Sequence, residues 1–400
     1  MSRFLWTQRA NYGPSPRYRT SLAYDSTRGR AVLFGGNSLG AGQHGDTWEW
    51  DGSYWTQVED IGPQARLLAG LAYDSAHQAS ILFGGLTPSG GLGDTWQWDG
   101  TNWTQLSDSG PGARSGHAMA YDSSRSRTVL FGGINPKPST LSDTWEFDGQ
   151  DWTQQQDSGP PARSGHSMAY DSVGKRVILF GGYDGTNPLG DTWSWDGQEW
   201  VQIAEFGPSA RYEAAMASSG GNLILYGGTM PPAGTTPERT LSDTWEFDGK
   251  LWTQRQDIGP GPLTGAATTY DSSRERIVIF GGMASDTGAL SGLTWEAPVT
   301  SSAQVAVAAV VVPPNIKPET PVVITITLTS PAPQGGAIVT FAGPIFQPNG
   351  MLLAPVTISA GLTSMDVDVA FAGAPGSTVV VTAQIAGTTA VAVSVPLESA

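Results

Sequence analysis

The chain has 400 residues, 39% of them hydrophobic, and a formal net charge of −15. That length accommodates one large or two ordinary domains with proper cores, and the acidity disfavours nucleic acid or an anionic membrane as partner, because phosphate binding needs clustered Lys and Arg. Cys is absent, which excludes disulfides, thiolate metal sites and a Cys nucleophile.

The N-terminal stretch MSRFLWTQRANYG has no charged segment followed by an apolar core, so no secretory signal is expected. One string then recurs. GDTWEWDGSYWTQ at 45–57 returns as GDTWQWDGTNWTQ, SDTWEFDGQDWTQ, GDTWSWDGQEWVQ and SDTWEFDGKLWTQ. Gly pairs at 35–36, 84–85, 132–133, 181–182, 227–228 and 281–282 divide the chain into six repeats. Each reads as four short strands. The first carries small residues and ends in Tyr-Asp, as in SGHAMAYD at 115–122. The second is an apolar run ending in the Gly pair, the mark of a strand covered on both faces. The third is Asp-Thr-Trp with alternating aromatics, and the fourth is Trp-Thr-Gln. The Asp-Gly between them predicts a two-residue type I′ hairpin.

A four-stranded antiparallel sheet repeated six times leaves two unburied faces per sheet, and packing the sheets around an axis buries both. The last repeat supplies a check. Its third strand, LTWEA at 293–297, is followed by Pro298 rather than by Asp-Gly and a Trp strand, while FLWTQ at 4–8 matches the missing fourth strand. The N-terminal strand is therefore expected to close the ring. The Trp residues are expected to wedge neighbouring sheets apart at fixed spacing.

From Thr300 the composition changes: Trp and Tyr vanish, and Val, Ala, Thr, Pro and Gly dominate. The longest apolar run, AQVAVAAVVVPP at 303–314, is too short and too β-branched to span a bilayer and reads as a strand. PVVITITLT, GAIVTFA, APVTISA, SMDVDVAFA, STVVVTAQI and AVAVSVPL add six more strands between Pro and Gly turns, which predicts a β-sandwich.

The Gly pair followed by Asp-Thr-Trp and a second Trp resembles the kelch repeat, and the resemblance covers residues 1 to about 297. It implies an all-β fold: a six-bladed kelch-type β-propeller over 1–298, closed by its N-terminal strand. The segment 299–400 resembles the Ig-like β-sandwich repeats of bacterial surface and phage-associated proteins.

Five arginines occupy one place in the repeat, seven residues before Tyr-Asp or, for the last, before the Ser218-Ser219 that replaces it: Arg17, Arg66, Arg114, Arg163 and Arg211. On a propeller that place lies at the channel mouth, so they are candidates for a cationic ligand-binding ring. The kelch resemblance implies acidic peptides or small anions as ligands of such a ring. The competing reading is structural. Asp46, Asp94, Asp143, Asp191 and Asp243 begin the third strands on the same face, and the sixth repeat has Leu263 and Leu293 where the Arg and Asp belong. Their joint loss suggests pairing within each repeat, since one without the other leaves a partly buried charge unpaired.

Loops joining second to third strands open on that face and vary, which makes them candidate recognition loops. His44, Lys137, Tyr183, Asp184, Glu238 and Arg239 are their most specific side chains. His117 and His166 hold equivalent places in adjacent repeats, but two His without a third ligand fall short of a metal set. Glu213 beside Arg211 is the one carboxylate with a claim to acid-base work. No catalytic residue, metal or cofactor is assigned. The expected function is non-catalytic recognition or structural assembly, with a protein or glycan partner at the loop face and assembly contacts through the Ig-like domain. The expected setting is extracellular, on a cell surface or on a phage-like particle, with the cytoplasm left open. The alternative is a lectin or a sugar-active enzyme of the epimerase or mutarotase type, using the channel mouth.

Overall fold

The computed structural model describes residues 4–10, 12–59, 61–106, 109–137, 139–155, 158–204, 206–231, 238–255, 257–284, 287–299, 307–314, 316–329, 337–347, 350, 353–359, 362–385 and 391–398. These residues form strands and no helix, so no helix among them is long and apolar enough to cross a membrane. The chain divides into two compact units, Ser2–Val299 and Thr300–Ala400.

Among the described residues the first unit contains six four-stranded antiparallel sheets. The first sheet takes Ser21–Asp25, Arg30–Phe34, Thr47–Trp50 and Trp55–Glu59 in order. The inner strands of the others are Gly70–Asp74, Ala118–Asp122, Ser167–Asp171, Ala215–Ser218 and Ala267–Asp271. Inner strands of neighbouring sheets touch in a closed cycle, with Ala267–Asp271 returning against Ser21–Asp25. The last sheet takes its fourth strand from the other end of the chain: Thr7–Ala10 runs antiparallel to Thr294–Pro298, with Thr7 opposite Glu296 and Gln8 opposite Trp295. This ladder starts at Thr7 rather than Phe4. Trp6 precedes it and packs edge-on against Tyr226, and Phe4–Leu5 instead pairs in parallel with Asp257–Ile258.

Two repeated contacts join each sheet to the next. The Trp that opens each fourth strand lies against an aromatic ring of the preceding sheet, at centroid distances of 5.2–5.4 Å. Its indole N–H donates to a buried Thr of that same neighbour, as from Trp152 to Thr95 Oγ1 at 2.9 Å and from Trp55 to Thr294 Oγ1 at 2.7 Å. Apolar body and polar tip are both satisfied across the seam. The second contact explains the Gly pairs. Both members have positive φ, 72° and 96° at Gly35 and Gly36. A Cβ on Gly35 would stand 2.6 Å from the Arg66 carbonyl oxygen, and the Gly36 N–H donates to that oxygen at 2.9 Å. The same bond recurs from Gly85 to Arg114, Gly133 to Arg163, Gly182 to Arg211, Gly228 to Leu263 and Gly282 to Arg17.

The Asp-Gly hairpins differ from the two-residue expectation. Trp50 is opposite Trp55, so the loop is 51–54, and of Asp51 and Gly52 only the glycine has positive φ. Asp51 Oδ1 accepts the N–H groups of Ser53 and Tyr54 at 2.7 and 2.8 Å. This side-chain cap supports a wider turn than type I′.

In the second unit, Val307–Val311, Val322–Leu328, Ser364–Phe371 and Ile345–Phe346 form one sheet, and Val356–Ile358, Ala337–Ala342, Thr378–Ile385 and Val391–Pro396 form another. Both contribute to one apolar core, with Ile324 and Ile326 from the first and Val339 and Val381 from the second. Residues 303–306 of the apolar run lie outside the described residues, and Ile345–Phe346 is a strand not read from the sequence.

Candidate functional site

The chain enters each inner strand through one residue in the left-handed region: Arg19, Leu68, Gly116, Gly165, Glu213 and Gly265, with φ between 53° and 65°. Their backbones join into a closed belt. Each N–H donates to the carbonyl of the preceding member, from Leu68 to Arg19, Gly116 to Leu68, Gly165 to Gly116, Glu213 to Gly165, Gly265 to Glu213 and Arg19 to Gly265, at 2.7–3.1 Å. Glycine takes this conformation without a Cβ clash, whereas Arg19, Leu68 and Glu213 take it at a cost of about 1–3 kcal/mol each.

Two of those three side chains are paired. Arg19 directs Nε and Nη2 onto Glu213 Oε1 at 2.8 and 2.7 Å, and its guanidinium lies 5.1 Å from the Tyr18 ring centroid. Gly265 lies between them in the belt, and a Cβ there would stand 3.1 Å from Arg19 Cγ and 3.2 Å from Glu213 Oε2. Burial works against the Arg19 charge, but Glu213 beside it raises its pKa above the usual value.

On the loop side of the belt is an open cavity of about 660 Å³. The residues after the Gly pairs pair with those before the belt, Ser115 with Ile134 and Ser164 with Tyr183, and this brings the variable loops to the same mouth. Leu68, Leu86 and Ile134 form apolar wall, while Tyr183 and Tyr212 stand together with ring centroids 5.7 Å apart. Among the described residues the charged lining consists of Arg19, Glu213 and Glu238. Glu238 Oε2 accepts the Tyr212 hydroxyl at 3.5 Å. Burial, with Glu238 and Glu213 nearby, pushes the Tyr212 phenol up to about 12, so it remains a neutral donor at physiological pH.

The arginines at the repeated position are elsewhere. Arg17, Arg66, Arg114, Arg163 and Arg211 are buried, with side chains 0–3% exposed, and none lines the cavity. Each forms a bidentate pair with the Asp of its own sheet: Asp46, Asp94, Asp143, Asp191 and Asp243 respectively. For Arg114 the contacts are 2.7 Å to each Asp143 oxygen, and Nη1 also donates to the Gly132 carbonyl at 3.0 Å. Burial disfavours the charge on these carboxylates, but the Arg hydrogen bond and charge hold all five below the usual carboxylate value. The pairing within sheets inferred from Leu263 and Leu293 is thus present in the structure.

Of the loop side chains singled out in the sequence, the cavity brings together Tyr183 and Glu238. His44 is partly buried and bonded to Ser38 Oγ at 2.8 Å, and burial and Arg17 lower its pKa. Asp184 accepts the N–H groups of Thr186 and Asn187, which lower its pKa, and so caps its own loop. Lys137 and Arg239 are exposed and do not line the cavity. Arg19 and Tyr212 were missed in the sequence. The signal was available: two residues after the repeated Arg, or after Leu263 in its place, stands Gly in three repeats, and the departures to Arg19, Leu68 and Glu213 mark the mouth.

Beneath the belt a second cavity of about 160 Å³ is lined by His117 and His166. Both rings are buried, and none of their nitrogens has a side-chain hydrogen-bond partner among the described residues. Burial, with Arg114 nearby, lowers the His117 pKa to about 3; burial and Arg163 push His166 well below its usual value. Among the described residues no group of three or more His, Asp or Glu is placed to hold a metal ion.

The model of the KLHDC2/KLHL20/DRC7 kelch-repeats domain matches residues 101–282. Among solved structures the chain is similar to one described as "Structure of YjhT", with a TM-score of 0.61 and 14% identity, over 73% of this chain and 97% of that chain. No curated protein matches the chain. The match and the likeness agree with the geometry: residues 101–282 match a kelch-repeats model, and the first unit has an all-β fold of four-stranded antiparallel sheets whose inner strands close a cycle.

Proposed function

We propose that the protein is a non-catalytic recognition protein: a six-bladed kelch-type propeller over 1–298 binds a partner at its loop face, and an Ig-like sandwich over 299–400 anchors or spaces it. The setting that suits this pairing is a cell surface, an appendage or a phage-like particle. One observation carries the reading. The charges that recur in the repeats are spent on one another inside the sheets, whereas the side chains that break the repeat surround the open cavity. A rigid scaffold with variable residues at one mouth is built for recognition. Acid-base chemistry finds less support, because the central carboxylate Glu213 is held by Arg19.

A photo-crosslinking residue at Pro136 on the cavity rim, compared with one at exposed Thr104 on an outer strand, tests this. Recognition predicts a discrete adduct from the rim position alone, lost on Tyr212→Ala. Equal labelling from both positions, or none, would overturn it. The second reading, a sugar-active enzyme, is favoured by Tyr212 and Glu238 sharing the cavity, and it predicts accelerated anomeric exchange by NMR in a panel of reducing sugars.

A further inference from the structure

The cavity has a sign. Among its charged lining residues one guanidinium faces two carboxylates, and that guanidinium is already committed: both Nε and Nη2 of Arg19 close on a single oxygen of Glu213. Pairing at this distance cancels most of the field of both groups. Glu238 remains, an exposed carboxylate at the rim whose contact with Tyr212 is a long one. Beside it stand the Tyr183 and Tyr212 rings, tilted at 56°. Aromatic faces attract cations and repel anions through the ring quadrupole, and a neighbouring carboxylate adds to that preference. The background agrees, since a chain of net charge −15 draws cations towards any open mouth.

An anion gains little here. The other five channel-side arginines are buried in their Asp pairs, and Lys137 and Arg239 lie off the lining. The apolar wall of Leu68, Leu86 and Ile134 suits the alkyl stem of a long side chain better than a fully hydrated ion.

We infer that the cavity between Tyr183, Tyr212 and Glu238 receives an organic cation, an ammonium or guanidinium group, with the rings holding its face and Glu238 its charge. The inference rests on the recognition reading and names the chemistry recognised. The same group is offered by a Lys or Arg side chain of a partner protein and by a free small-molecule amine.

The test is isothermal titration of the full chain at low salt with three probes: tetramethylammonium chloride, a terminally blocked Gly-Lys-Gly peptide and its Gly-Glu-Gly counterpart. The cations bind with affinity on the order of millimolar and the acidic peptide does not. Glu238→Gln, at an exposed position, weakens cation binding about tenfold. Tyr212→Phe retains it while Tyr212→Leu loses it, with melting temperatures unchanged. Tighter binding of the Lys peptide assigns the source to a protein side chain; tighter binding of tetramethylammonium assigns it to a small amine. Binding of the acidic peptide, cation affinity untouched by Glu238→Gln, or no cation binding in the millimolar range overturns the inference. Should that happen while the rim crosslink at Pro136 still forms, recognition stands and only its sign is wrong; loss of both removes the two together.

Discussion

The two units of the chain reach an all-β architecture through different chemistry. Ser2–Val299 is joined at every seam by directional contacts, indole N–H to Thr and glycine N–H to carbonyl, and five of its six described sheets carry an Arg–Asp fork of their own. Thr300–Ala400 has no Trp or Tyr and is held by one core of Ile, Val, Leu and Phe gathered from both sheets. A ring of sheets stores its stability in interfaces between neighbours, so damage at one seam is felt at closure. A two-sheet core stores it in volume, so damage scales with the methylenes removed.

The largest effect therefore belongs to closure. Removing residues 1–8 takes away Trp6 and half of the strand that completes the last sheet, and we expect a loss greater than the ~3–5 kcal/mol of one buried Trp. Trp fluorescence reads this unit alone, because all 15 Trp lie at or before Trp295. An unchanged melting curve would break the comparison.

Next comes Ile324→Ala in the fully buried core of the second unit, expected to cost about 2–5 kcal/mol and followed by hydrogen exchange of its strands. A cost well under 1 kcal/mol would mean that this core is loosely filled.

Acid follows. His117 and His166 are neutral when folded, while the unfolded chain protonates them near pH 6.5. The unfolded state then binds more protons, so stability is full above about pH 6.5 and falls below it, by about 1.4 kcal/mol per pH unit for each His. The five Asp carboxylates, held low by Arg, add their loss only below about pH 4. Urea melts from pH 7 to pH 5 check this, and His117→Gln with His166→Gln flattens the slope; an unchanged slope refutes it.

Trp152→Phe is milder. It keeps the ring against Phe83 but strands Thr95 Oγ1, at a cost of about 1–3 kcal/mol in chemical denaturation. No change would reduce the indole N–H bond to an ornament of packing.

The same difference governs how much was legible. Directional contacts need one residue type at one spacing, so the Gly pairs, Asp-Thr-Trp and the N-terminal closure stand out in the sequence. The Gly-Pro steps at 13, 62, 110, 159, 207 and 259 carry the same kind of signal and were overlooked; a Cβ at each glycine would come within 2.4–2.7 Å of an indole. Apolar volume needs only the right sum, so Ile345–Phe346, a two-residue strand, was invisible. At the candidate site the repeat itself misled. Arg17 and its equivalents stand out because they recur, whereas the charged and aromatic lining of the open cavity departs from the repeat: Arg19 and Glu213 stand where three repeats have Gly, and Tyr212 where two have Ser. The register of the belt, and hence which side chains meet across it, follows from the ring closure and not from any local pattern.

The most direct test of the division between recurring scaffold and unrepeated mouth copies what the last repeat already does. In the third repeat, Arg114→Leu and Asp143→Leu together reproduce Leu263 and Leu293, and the cycle of wild type, two single variants and the double variant is measured by denaturation. The account predicts that each single variant loses about 3–5 kcal/mol by leaving a buried charge unpaired, while the double variant returns to within about 1–2 kcal/mol of wild type. Additive losses in the double variant would contradict it and give Arg114 a purpose beyond its partner.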